Sequence, residues 1–196
     1  MTLRTAESVR WIVGLALMGT LLGVGMTWVM PQVYDASVSF DVQRINKQST
    51  QEYQFDGYYE IQASDLFSQT VISWFLTPSV LSEMYDRAGI DPQIQNISEY
   101  ARRFSAKKYS PQNIVVTFQE KTESRAQKLA GAVVEVVEGR SQELNKTQDN
   151  RALFLIQGAT PVIAEHEYPI SLYGSIGAVA GALLGLAVFS YRRGME

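Results

Sequence analysis

Two stretches of the chain contain no charged residue: Trp11–Met30, twenty residues, and Ile170–Tyr191, twenty-two. About twenty apolar residues cross the roughly 30 Å hydrocarbon core of a bilayer as a helix. The pattern therefore predicts transmembrane helices over residues 11–30 and 170–191. The first stretch could also be read as a cleaved signal peptide, whose apolar region is about 7–15 residues and ends at a small-x-small site. The run here is longer and leaves through Trp28-Val29-Met30-Pro31, so it reads as a retained anchor.

Between these stretches the periodicity changes several times. Ala36, Val38, Phe40 and Val42 alternate with polar residues, the signature of a half-buried strand. Residues 44–56 are polar and read as a loop. From Gly57 to Phe75 the apolar positions Ala63, Phe67, Val71 and Trp74 recur at helical spacing. Thr77-Pro78 has the form of an N-cap followed by proline in the first turn. A second helix runs through Val80, Leu81, Met84 and Tyr85 to Gly89, and Asp91-Pro92 turns the chain. Phe104–Tyr109 and the β-branched run Ile114–Phe118 read as a hairpin closed by Ser110-Pro111-Gln112-Asn113. Thr122 to about Lys146 predicts the longest outer helix, with Ala126, Leu129, Ala130, Val133, Val137 and Leu144 on one face. Gly131 and Gly139 weaken that helix by about 1 kcal/mol each relative to alanine and would permit a close helix contact. Ala152–Gln157 reads as a last strand, followed by a proline-bounded approach to the second apolar stretch. The order predicts one small α+β domain flanked by N- and C-terminal transmembrane helices, without an internal repeat.

Charge orients this arrangement. Arg4 and Arg10 precede the first apolar stretch, and Arg192 and Arg193 follow the second. Short segments rich in Lys and Arg stay cytoplasmic. Residues 1–10 and the tail 192–196 are then cytoplasmic, and residues 31–169 form the extracytoplasmic domain. That segment holds 13 Lys and Arg against 18 Asp and Glu, a net charge of −5, which argues against a nucleic-acid partner. Trp11 and Trp28 bracket the first helix, and Tyr173 and Tyr191 the second, as in interfacial aromatic belts. The chain has no cysteine, so it has neither a disulfide framework nor a thiolate.

The candidate sites are mostly packing sites. Gly177, Gly181 and Gly185 recur every fourth residue in the second helix, and Gly14, Gly19 and Gly23 offer a similar face in the first. Small residues at that spacing let transmembrane backbones approach closely, either within a protomer or between protomers. Arg102, Arg103, Lys107 and Lys108 form a basic cluster, read as an anionic contact or an oligomer surface. Tyr53, Phe55, Tyr58 and Tyr59 could stack on sugars, and core packing is the preferred expectation. His166 is the single histidine. Its neighbours Glu165 and Glu167 point away from it on a strand, so neither a metal site nor a nucleophilic triad is assigned. No catalytic constellation and no cofactor are expected. Asn96-Ile97-Ser98 and Asn145-Lys146-Thr147 match the glycosylation sequon and carry no weight at this length.

Several segments in order carry a resemblance. Pro31-Gln32-Val33-Tyr34-Asp35-Ala36, Leu76-Thr77-Pro78-Ser79-Val80-Leu81 with Ala88-Gly89-Ile90, and Ile114–Phe118 with Arg125-Ala126 and Leu129-Ala130 are three of them. Ala159-Thr160-Pro161 with Pro169, and the glycine-rich second helix, complete the set. Together they resemble the polysaccharide co-polymerases, the Wzz-type chain-length determinants, in a short form like their base domain. The resemblance implies a homo-oligomer in the bacterial cytoplasmic (inner) membrane that is not itself an enzyme. With a polysaccharide polymerase and its lipid-linked glycan, it would regulate the length of an O-antigen, capsule or exopolysaccharide. Pro161 and Pro169 would be the membrane-proximal proline segment. An alternative is an adaptor that activates a separate cytoplasmic tyrosine kinase through residues 191–196. The chain carries no phosphate-binding loop of its own.

Overall fold

The alternation at residues 36–42 folds as β1, Tyr34–Arg44, in which Ala36, Val38, Phe40 and Val42 are buried. The computed structural model describes residues 2–45, 56–94, 96–144 and 153–194. It is an α+β fold with a small antiparallel sheet and, among the described residues, six helices. The chain divides into two units, one of residues 32–166 and one that joins residues 1–31 to residues 167–196.

The larger unit contains β1, α2 (Asp56–Trp74), α3 (Pro78–Ala88), α4 (Ile97–Arg103), β2 (Phe104–Ser110), β3 (Asn113–Glu120), α5 (Glu123–Leu144), β4 (Phe154–Gly158) and β5 (Val162–Glu165). The sheet order is β2-β3-β1-β4, and β5 also pairs with β1. β4 takes Phe40–Arg44 of β1, and β5 takes Tyr34–Ser37. Because side chains alternate across a strand, the even positions of β1 and β3 face a core shared with α2, α3 and α5. Phe40, Phe75, Leu81, Met84, Tyr85, Ile114 and Leu129 are its largest fully buried side chains. The odd positions form a second face, which is polar apart from Val115.

The local chemistry differs from the sequence reading at several points. Thr77 occupies the N-cap position of α3 with Pro78 behind it, but its hydroxyl donates backwards to the Ser73 carbonyl at 2.9 Å instead of capping. Gly89 ends α3 with φ +65°, the left-handed cap that glycine adopts at least cost. The hairpin is tighter than expected, since Ser110 already pairs with Asn113. α4 and β5 lie where the sequence pattern predicts no element. Leu144 is 64% exposed and is not part of the α5 core face, which instead includes Ala132, Val136 and Ser141. Nothing approaches Gly131 or Gly139. The close helix contact is at Gly158 of β4, where a Cβ would meet the Val134 side chain of α5 at 2.8 Å. Most of the expected loop at 44–56, the start of the expected strand at Ala152 and the Asn145 sequon lie outside the described residues.

The smaller unit is a pair of helices, α1 (Thr2–Thr27) and α6 (Ile170–Gly194). Each contains a segment long and apolar enough to cross a membrane. Trp28 and Val29 follow α1 as a turn, donating to the carbonyls of Gly25 and Met26. Pro169 starts α6: its carbonyl accepts from the amides of Leu172 and Tyr173 at 3.0 and 3.3 Å. Pro161 lies in the connection between β4 and β5.

Candidate functional site

The glycine series joins α1 to α6. A Cβ on Gly19 would run into the carbonyl oxygen of Gly177, and one on Gly23 into that of Tyr173. From the other side, a Cβ on Gly177 would meet the Gly19 carbonyl and one on Gly181 the Leu15 carbonyl. At Gly185 it would lie 2.9 Å from Ile12 Cα. Only the absence of side chains allows such an approach. The face is therefore used within the chain. Gly14 is a correction to the expected set, because nothing lies within 4 Å of its would-be Cβ. Gly174, which the spacing did not single out, belongs to the contact, facing Val24 and Thr20.

The basic cluster is divided by strand alternation. Lys108 lies on the core side of β2 and forms an ion pair with Asp65 of α2, whose carboxyl it holds below the usual aspartate value. Lys107 points to the opposite face, so the cluster is not one surface. Arg102 and Arg103, at the end of α4, border a groove of about 630 Å³ on the polar face of the sheet. Arg103 donates to the Pro92 carbonyl at 3.1 Å. The tyrosines are a second correction. Tyr58 and Tyr59 are 66% and 59% exposed and do not enter the core, and Tyr53 and Phe55 lie outside the described residues.

His166 and Asp35 meet at one end of that groove. His166 Nδ1 lies 2.7 Å from Asp35 Oδ2, and Gln119 Nε2 donates to Asp35 Oδ1 at 2.8 Å. Partial burial pushes the Asp35 carboxyl up, but the bonds from His166 and Gln119 overcome this and hold it below the usual aspartate value. This dyad forms because β5 pairs antiparallel with β1, setting Ala164 opposite Asp35 and carrying His166 onto the same face. Sequence reading missed it, having no β5. Among the described residues no three His, Cys, Asp or Glu side chains converge as metal ligands.

Among the described residues one carboxylate lies in the core. Glu120, at the end of β3, is 5% exposed and accepts from Arg125 Nε at 2.9 Å. Tyr85 beside it is pushed up to about 12, by burial of its hydroxyl and then by the Glu120 charge. Arg125 also donates to the Asp91 carbonyl at 3.1 Å, and Lys121 to the Gln93 side chain at 3.0 Å. Together with the Arg103 bond to Pro92, these tie down the turn after α3, in which Gln93 has φ +51°.

No protein-family model matches this chain, and no curated protein matches its sequence.

Proposed function

We propose that the protein is a membrane-anchored scaffold of the co-polymerase kind. The two apolar helices cross a bacterial cytoplasmic membrane, the larger unit lies outside, and both ends lie in the cytoplasm. Several copies organise a polysaccharide polymerase and its lipid-linked glycan, and so regulate the length of the surface polysaccharide. The observation that carries the membrane-anchored part of this reading is the glycine-to-glycine pairing of α1 with α6. Backbone contact of that closeness is how helices associate in lipid, where apolar side chains gain little by leaving the hydrocarbon for one another. The β1–β5 pairing adds to it: Tyr34 stands opposite Glu165, so the chain enters and leaves the larger unit at neighbouring points.

The test is the mass and shape of the full chain in nanodiscs, by light scattering and electron microscopy, followed by glycan length profiles in cells lacking the protein. A closed assembly of several copies and a shifted glycan length distribution are expected. A stable monomer, or an unchanged distribution, overturns the reading.

A further inference from the structure

The polar face of the sheet is built in register. Ser37 of β1 lies opposite Thr117 of β3, and Thr117 lies opposite Ser105 of β2. Strands in a sheet are about 4.8 Å apart, so these three side chains form a continuous cross-strand row of hydroxyls. In the adjoining row Gln119 stands opposite Asp35. Both rows line the groove, and Val162 and Ala164 of β5 give it an apolar side. The helices that build the core pack on the opposite face, against the even positions.

The two ends of the groove differ in charge. At one end Asp35 is compensated, with both carboxylate oxygens accepting bonds from His166 and Gln119. At the other end stands Arg102. Among the described residues its side chain has no hydrogen-bond or ion-pair partner, and neither does that of Lys107, two positions along the same face of β2 from Ser105. Hydroxyls and amides both donate to and accept from ligand hydroxyls. A guanidinium presents a fork of donors that fits the two oxygens of a carboxylate or phosphate.

We propose that this groove binds an acidic sugar, with the carboxylate or phosphate on Arg102, the hydroxyls along Ser105, Thr117 and Ser37, and a ring face against Val162 and Ala164. The ligand class follows from the groove itself. Its identity as part of the growing surface glycan rests on the scaffold reading above.

The test uses the full chain in phosphatidylcholine nanodiscs, titrated calorimetrically. One probe is a hyaluronan hexasaccharide, which carries a uronic acid in every second unit, and the other is the neutral maltohexaose. The acidic probe should bind, and maltohexaose should bind at least several-fold more weakly. Arg102→Gln should weaken the acidic probe roughly tenfold, the effect of one charge-assisted bond. Thr117→Val should weaken both probes. Arg102 is exposed, and an unchanged thermal transition shows that each variant still folds. Absent binding of the acidic probe, equal binding of the two probes, or an affinity indifferent to both substitutions overturns the proposal. An Arg102-dependent response to phosphatidylglycerol vesicles without a response to the hexasaccharide also overturns it, assigning the face to lipid headgroups. A monomer in nanodiscs that still binds the hexasaccharide would sink the scaffold reading and leave the groove standing.

Discussion

At the residue scale, two titratable clusters and one glycine pair make separable claims. The Tyr85 hydroxyl is buried against the Glu120 carboxylate, which raises its proton affinity in the folded state to about 12. The native chain then holds a proton that the unfolded chain releases near pH 10. This contribution is complete below pH 10 and is lost as pH rises toward 12. Tyr85→Phe should flatten the alkaline limb of a stability–pH curve measured by denaturant unfolding. Asp35 has the opposite sign. Its folded value lies below the ordinary one, so its contribution is complete above about pH 4 and is lost as acid protonates it. His166→Gln should leave stability less sensitive to acid below pH 4, and an unchanged acid limb would show that the dyad contributes nothing to folding. Among the glycines, Gly177→Ala places a methyl against the Gly19 carbonyl and should destabilise the helix pair by about 1–3 kcal/mol, as overpacking does. Gly14→Ala meets nothing and should be neutral or stabilising by up to about 1 kcal/mol. Thermal unfolding in detergent separates the two, and equal effects would place the helix contact elsewhere.

At the scale of elements, what was legible followed from periodicity. β1, α3, α5 and the β2–β3 hairpin each carry an apolar pattern of a single period, and each formed near its expected bounds. α4 has too few apolar residues to show a period. Its signal was in its cap: Asn96 accepts from the Ser98 amide at 3.1 Å, and Glu99 sits three positions on, as in a capping box. The glycosylation-like triplet at Asn96 is thus a helix start. Asn96→Ala should cost about 1 kcal/mol of stability, read from the denaturant midpoint. β5 was hidden for another reason. Val162–Glu165 is four residues long with three of them exposed, and it becomes a strand by pairing with the edge of β1 that β4 leaves free. The groove depends on β5 and on the register of β1 with β3, so its residues could be named from the sequence only one by one. The exposure of Tyr58 and Tyr59 has the same origin, because the face α2 buries is set by Ser64, Ser68, Val71 and Trp74. Aromatic character in the sequence did not predict it.

At the scale of the whole molecule, orientation in the membrane links the fold to the proposed role. A groove that holds the growing surface glycan and a scaffold for a polymerase acting outside the cytoplasm both require residues 32–166 to be translocated. The arginines at positions 4, 10, 192 and 193 favour cytoplasmic ends. The net acidic character of the central segment does not oppose translocation, since long segments cross largely regardless of charge. The natural chain has no cysteine, so a single introduced thiol reports its own side without background. Ser98→Cys in the larger unit should react in intact cells with a membrane-impermeant maleimide. Thr5→Cys and Gly194→Cys should react only after the membrane is opened. Labelling of all three in intact cells would remove the anchored topology. Labelling at the ends but not at Ser98 would invert it, placing the groove in the cytoplasm, where a polymer assembled outside could not reach it.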